Sequence, residues 1–450
     1  MVSITASFAA IVSQKFGGIF MGRFVRWLVF RLLRLYYPRI AVEGLEQLPR
    51  GRVMFVLNHP NGLLDPLLLM LILGQPVAFL AKNTFFNNPI GRWMMQSFGA
   101  LPIYRQRDAA EGSNTRDQNE QTFARCRQLL ADNRYLALFP EGTSHSEAYL
   151  LPLRSGAARI ALGAEAEHNW QLDLNIVPIG LWYEDKHIFR SSVLLLVGKP
   201  IHVAEFQHAE AEREQAVASL TARMAEHLGG VVFQAGNAEL LRGLPVMVGW
   251  TVDRLRRKRP SGREAYTSLT PTERVQLATL AAKAQRYART LRLLGIADPW
   301  SPQLPLATRW RFWRKFLWTA LAFIPAACGI VLSYPMYRLS GIIATRMTKE
   351  LELLSTLKLI AGIVLQPIGW IISSLIIGLL TIWQAGVIVL VLAPLFGFIA
   401  LRWSERWRAV REATAASWLR LTQPDLTTQL LQRRRDLGEQ ISNTILSLND

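Results

Sequence analysis

Two long stretches in the C-terminal third carry no charged residue. Phe316–Tyr337 follows the basic residues Arg309, Arg311, Arg314 and Lys315, and Leu359–Leu401 comes after it. A helix rises ~1.5 Å per residue, so the first stretch is long enough to cross a hydrocarbon core of about 30 Å. The second, as one helix, would be about twice too long, which predicts a hairpin near Trp383-Gln384-Ala385-Gly386. Uncharged runs of this length favour membrane segments over buried core helices. An odd number of crossings would set Arg402, Arg406, Arg408, Arg411 and Arg420 opposite Arg309–Lys315, against the tendency of basic residues to share one side. One of the three apolar segments is therefore open to a re-entrant or interfacial course.

The N-terminal apolar run is broken by Arg23, Arg26, Arg31 and Arg34, which makes it a poor spanning helix and a poor secretory signal. On a helix these arginines share one arc of roughly 140°, with Met21, Phe24, Val25, Leu28, Val29 and Leu32 opposite. Trp27 and Phe30 join the basic side. Such a helix lies in a membrane interface with its arginines on anionic phosphates; the alternative is docking on its own domain with a solvated basic face. From Pro38 to Val203 the pattern alternates. Strand-like runs Val53–Leu57, Tyr135–Phe139, Ile176–Leu181 and Val193–Val197 are interleaved with helical stretches Leu63–Leu73, Glu120–Asp132 and Gly156–Glu165. This predicts an α/β domain with a mostly parallel sheet flanked by helices. Residues 204–308 read as helical and charged, with a helix start at Thr270-Pro271-Thr272-Glu273.

Composition sharpens that picture. The 450 residues hold 51 Lys plus Arg against 33 Asp plus Glu, a net charge of +18, yet 50% are hydrophobic. Disorder is excluded, because it pairs high charge with low hydrophobicity. Cys126 and Cys328 are too few for a disulfide framework. The basic run Arg254–Arg259 comes with no nucleic-acid-binding signature, so contact with anionic lipid or a solvated helix end is preferred.

Four blocks carry candidate chemistry. Asn58-His59-Pro-Asn-Gly-Leu-Leu-Asp65 follows the first strand-like run. There Asp65 can accept the Nδ1 proton of His59 across the Pro60–Gly62 turn, which leaves Nε2 free as a base. A His near an Asp in a turn is more often structural than catalytic, so this signal alone is weak. Gly99-Ala-Leu-Pro102-Ile-Tyr-Arg105 offers a turn and a guanidinium suited to phosphate. Phe139-Pro140-Glu141-Gly142-Thr143-Ser144-His145 offers N–H groups and hydroxyls from Gly142, Thr143 and Ser144 to an anion. Pro178, inside a strand pattern, should mark an edge or a bulge. The histidines have no metal-ligand spacing such as H-E-x-x-H, and no G-x-S-x-G elbow is present.

In this order the blocks (NH…D, GxxPxxR, FPEG, VPI) resemble the glycerolipid acyltransferase family over residues 38–203. The resemblance implies a membrane-surface α/β acyltransferase fold, no metal or cofactor, and acyl-CoA or acyl-carrier protein as co-substrate. It makes His59 the base and Asp65 its partner. Gly99, Pro102, Arg105, Glu141, Gly142, Thr143 and Ser144 fall in substrate-binding blocks, and Pro178 lies near the acyl-binding wall. The family commonly puts four residues between its His and Asp, where this chain has five, and Ser144 replaces the arginine of FPEGTR. Both departures resemble the fungal-type branch that acylates glycerol-3-phosphate and dihydroxyacetone phosphate. Acylation of lysophosphatidate or another lysophospholipid, and a non-catalytic lipid-binding protein, remain as alternatives. His145 is open between phosphate binding and a structural hydrogen bond. The expected organisation is an interfacial helix (1–37), acyltransferase domain (38–203), charged helical region (204–308), membrane-embedded helices (309–402) and basic tail (403–450). The catalytic domain is expected on the cytoplasmic face of the inner membrane, in contact with membrane lipids and not nucleic acid.

Overall fold

The computed structural model describes residues 18–104, 115–147, 149–207, 210–232, 271–296 and 309–446. The basic run 254–259 lies outside them. The chain forms two compact units, residues 1–234 with 351–356, and residues 235–350 with 357–450.

The first unit is built on an eight-stranded sheet. Its strands are β1 (Arg39–Glu43), β2 (Val53–Leu57), β3 (Val77–Lys82), β4 (Ala100–Ile103), β5 (Tyr135–Leu138), β6 (Asn175–Tyr183), β7 (Ser192–Val197) and β8 (Ile201–His202). They run in the order β1-β7-β6-β2-β5-β3-β4, with β8 also on β6. Pairing is parallel except where β6 meets β7 and β8. Every residue of β2 is buried, as a strand covered on both faces requires.

The helices of this unit are α1 (Gly18–Tyr36), α2 (Leu64–Leu73), α3 (Pro89–Ser97), α4 (Thr115–Ala131), α5 (Gly156–Glu167) and α6 (Arg213–Gly229). On one face, Met54, Val56, Leu136 and Ile176 pack with Cys126 and Leu130 of α4, Ile160 of α5, and Val217, Leu220 and Met224 of α6. Burial pushes the Cys126 thiol up to about 12, so it serves as a core side chain. The C-terminal end of α1 is docked: Leu33, Tyr36 and Tyr37 are buried, and Arg190 donates to the Leu35 carbonyl. Trp27, Arg31 and Arg34 are exposed.

Four strands escaped the sequence pattern, among them the two-residue β8. β1 and β4 are short edges, and β3 alternates too briefly to stand out. Residues 100–103, read as a turn, pair with β3 instead, and Pro102 is tolerated because β4 is an edge. Pro178 lies in a central strand, at a bulge, the other of the two places expected for it. Ile176 pairs with Ile201 and Ile179 with Val197, so three steps of β6 face four of its partner. The Pro178 C=O accepts from Gly198 N–H at 2.6 Å, where the neighbouring partner changes from β8 to β7. The missing proline N–H faces that gap and breaks no ladder bond. Gly180, also in β6, lies under the Val231 carbonyl, and a Cβ there would fall on that oxygen. Gly180→Ala should therefore destabilise this unit by about 1–3 kcal/mol. Thermal unfolding of the purified variant checks this, and a wild-type midpoint would contradict it.

The second unit holds α7 (Pro271–Leu293), which begins at the expected proline, α8 (Arg309–Leu321), α9 (Phe323–Met347), α10 beyond its first turns (Leu351–Leu380), α11 (Trp383–Thr422) and α12 (Pro424–Leu446). Helices α9, α10 and α11 are long and apolar enough to cross a membrane. The first uncharged stretch does not form one helix from Phe316. It breaks at Ala322, because Pro325 lacks an N–H and its ring excludes the carbonyl of Leu321. The hairpin turn is at Thr381–Ile382, just ahead of the expected residues. Gly386 lets α10 and α11 close on it: Ser374 Oγ donates to the Gly386 carbonyl at 2.8 Å. Helices α9 and α11 meet through small residues, with Gly329 against the Phe396 carbonyl and Ala400.

Candidate active site

The chain leaves β2 at Leu57 and enters α2 at Leu64, and the loop between them crosses the carboxyl edge of the sheet. Asn58 continues the sheet with its side chain. Its amide accepts from Leu181 N–H at 2.7 Å and donates to Leu181 C=O at 3.0 Å, as a further backbone residue of β2 would. That fixes where His59 starts. The His59 ring stacks on Phe139 with 4.0 Å between centroids, and its backbone is clamped at both ends. Its N–H donates to Glu141 Oε1 at 3.1 Å, and its C=O accepts from His145 N–H at 3.1 Å.

Asp65 lies in the first turn of α2, where the helix dipole favours a carboxylate. It is fully buried and its oxygens are divided among three donors. Oδ2 accepts from His59 Nδ1 at 2.9 Å and from Asn61 N–H at 2.9 Å, and Oδ1 accepts from the Tyr183 hydroxyl at 2.6 Å. Burial and the Asp65 charge hold the Tyr183 phenol well above its usual value, so it remains a donor. The His59 tautomer follows from this arrangement: Nδ1 carries the proton and Nε2 presents its lone pair. Among the described residues Nε2 has no hydrogen-bond partner, and 18% of the side chain is exposed.

Glu141 is also buried, and its carboxylate serves the loops. Besides His59 N–H, it accepts from Leu151 N–H at 2.8 Å and from His145 Nε2 at 2.5 Å. His145 Nδ1 accepts from Glu147 N–H, so both ring nitrogens are engaged within the protein. Gly142 has φ +71, and its N–H is already bonded to Phe139 C=O at 2.9 Å. It is therefore not one of the free anion donors expected from the sequence. The N–H groups of Thr143 and Ser144 have no partner among the described residues. The Arg154 guanidinium lies over Gly142, 2.6 Å from where a Cβ would stand.

The structure thus brings His59, Asp65, Glu141, Gly142, Thr143 and Ser144 to the ends of β2 and β5. Pro178 pairs with Val56 in the next strand. It does not bring Gly99 and Pro102 there. Both belong to the β4 end of the sheet, three strand spacings or roughly 14 Å from β2. Arg105 lies outside the described residues. Sequence reasoning missed Tyr183 and Arg154, which no local spacing connects to His59, and gave Asn61 a place in the turn only.

Residues 39–182 match the family model described as Acyltransferase. This segment is an acyltransferase domain. Glycerol-3-phosphate O-acyltransferase 1 of Saccharomyces cerevisiae is 36% identical over 131 residues, 28% of this chain and 16% of that protein. Glycerol-3-phosphate O-acyltransferase 2 of the same yeast is 25% identical over 288 residues, covering 58% of this chain and 38% of the relative. The chloroplastic 1-acyl-sn-glycerol-3-phosphate acyltransferase LPAT1 of Arabidopsis thaliana is 29% identical, covering 37% and 45%. The alignments span less than half the length of these relatives. A crystal structure of the 1-acyl-sn-glycerophosphate acyltransferase PlsC of Thermotoga maritima aligns at 19% identity, covering 46% of this chain and 80% of that one, with a TM-score of 0.31. Within the acyltransferase domain, His59, Asp65 and the Glu141 clamp form a polar, largely buried cluster at the carboxyl edge of the sheet, where open α/β sheets bind ligands.

Proposed function

We propose that this protein transfers a fatty acyl group from the thioester of acyl-CoA or acyl-carrier protein to a hydroxyl of glycerol-3-phosphate or dihydroxyacetone phosphate, in phospholipid biosynthesis. The observation that carries this reading is the free Nε2 of His59, backed by the buried Asp65. A thioester carbonyl is reactive enough for direct attack by an alcohol, so no covalent acyl-enzyme is needed. Nε2 takes the hydroxyl proton as the oxygen attacks the carbonyl carbon. A C–O bond forms, the C–S bond breaks, and the imidazolium returns its proton to the leaving thiolate. Asp65 holds the ring in place and balances the charge that develops on it. The Thr143 and Ser144 N–H groups and the Arg154 guanidinium supply donors for the acceptor phosphate, with Arg105 as a second guanidinium.

The reading places the protein on the inner membrane with its acyltransferase domain on the cytoplasmic face. Three helices able to cross a membrane support it, as do the exposed Arg31 and Arg34 beside Trp27 on α1. Acylation of lysophosphatidate is the second reading, favoured by the likeness to the Arabidopsis relative.

Competition between the acceptors decides between these readings. Glycerol-3-phosphate is small and water-soluble, whereas lysophosphatidate brings a chain that needs an apolar groove open to the bilayer. Purified protein with a labelled acyl donor and matched acceptor concentrations should give higher kcat/KM for glycerol-3-phosphate. If phosphatidate forms from lysophosphatidate while glycerol-3-phosphate stays untouched, the second reading holds. No transfer to any acceptor would leave a non-catalytic lipid-binding protein.

A further inference from the structure

The loop Pro60–Asp65 sets the angle between His59 and Asp65, and segments remote in sequence hold it. The Tyr37 hydroxyl, just past α1, accepts from Asn61 Nδ2 at 2.8 Å and donates to the Lys186 carbonyl at 3.1 Å. Lys186 sits between β6 and β7, and only 13% of its side chain is exposed. Its Nζ donates to Pro60 C=O at 2.5 Å and to Ser146 Oγ at 2.8 Å, and lies 3.6 Å from Glu352 Oε1. Ser146 donates to the same Glu352 carboxylate, and Ser355 Oγ donates to the Lys186 carbonyl. Glu352 and Ser355 lie in the first turns of α10, residues 351–356, which belong to the same unit as the sheet. Gly62 permits the approach. Its φ is +53, and a Cβ there would stand 3.0 Å from the Glu352 carbonyl oxygen.

We propose that Lys186 and Glu352 form a latch that positions the His59 loop, so that the first turn of an apolar helix belongs to the machinery of the acyltransferase domain. The proposal rests on His59 being the base of acyl transfer. An ammonium has three protons. Here they face a backbone carbonyl, a hydroxyl and a carboxylate, and none is left over for a substrate phosphate. Burial lowers the affinity of Lys186 for its proton, and the Glu352 and Asp65 charges oppose that shift. Lys186 is thus a positioning residue that acts through Pro60 and the Asn61 N–H on Asp65. Glu352 acts through Lys186, because an ammonium left without its counter-charge in this setting leaves the site or loses its proton.

The test uses the full-length protein in detergent micelles. Lys186→Met and Glu352→Gln should each lower kcat by about 10- to 10²-fold while KM for both substrates stays within about twofold. Lys186→Arg, which keeps charge and donors, should retain more activity than Lys186→Met. The double variant should be no slower than Lys186→Met alone. Independently of activity, hydrogen exchange in residues 58–66 should quicken in both single variants while β5 keeps its wild-type protection. Wild-type kcat, a loss confined to KM, additive losses, or unchanged exchange would each overturn the latch. Wild-type protein that transfers no acyl group would instead sink the function proposed above, and exchange alone would then decide the latch.

Discussion

His59→Ala is expected to lower acyl transfer by at least about 10²-fold, the minimum contribution of a positioned general base. The fold should survive. The bonds that shape this loop run through the His59 backbone, whose N–H and C=O meet Glu141 and His145 whatever the side chain is. Alanine forfeits the stack on Phe139, worth about 0.5–1.5 kcal/mol. It also removes one of the three donors to Asp65, at about 1–3 kcal/mol. Together these stay below the total stability of about 5–15 kcal/mol expected of a domain. Acyl transfer from a labelled donor, measured beside thermal unfolding, separates the two effects. A folded variant that keeps more than about a tenth of wild-type activity would show that His59 is not the base.

How much of this was legible in the sequence follows from how far apart the interacting groups lie. β2, β5, β6 and β7 showed because each is a short, largely apolar run in a strand mostly buried on both faces. β1 and β4 did not, since an edge strand needs no apolar run on both faces. His59 and Asp65 stood out because they are six residues apart across a Pro-Asn-Gly turn. Their supports did not. Tyr183 is 118 positions from Asp65, Leu181 is 123 from Asn58, and Glu352 reaches the loop from the start of an apolar helix that reads as a membrane segment. No periodicity encodes such pairs. Pro178 was legible for the opposite reason: a strand proline signals an edge or a bulge, and here it faces the one-residue bulge where β8 gives way to β7 in the centre of the sheet. His145 was ambiguous from composition alone, and only the positions of Glu141 and the Glu147 N–H show it engaged within the loop.

Asp65→Asn should lower kcat/KM by about 10² to 10³-fold with little change in structure. The asparagine can keep its carbonyl oxygen towards His59 Nδ1 and Asn61 N–H and turn its amide nitrogen towards Tyr183. The Tyr183 hydroxyl then accepts where it had donated, because a phenol does either. The His59 tautomer is retained in that orientation, so the loss comes from charge. When Nε2 takes the substrate proton the ring becomes cationic, and the Asp65 carboxylate is the counter-charge bonded directly to it. At ~4 Å and an effective dielectric near 20, such a pair is worth at most about 4 kcal/mol, close to 10³-fold. Tyr183→Phe is the matched control. It removes one donor to the same carboxylate but leaves the charge, so it should cost about tenfold. The ordering is the decisive outcome. A Tyr183→Phe loss equal to that of Asp65→Asn would mean that Asp65 works by placement alone, and an Asp65→Asn enzyme within about fivefold of wild type would remove Asp65 from the mechanism.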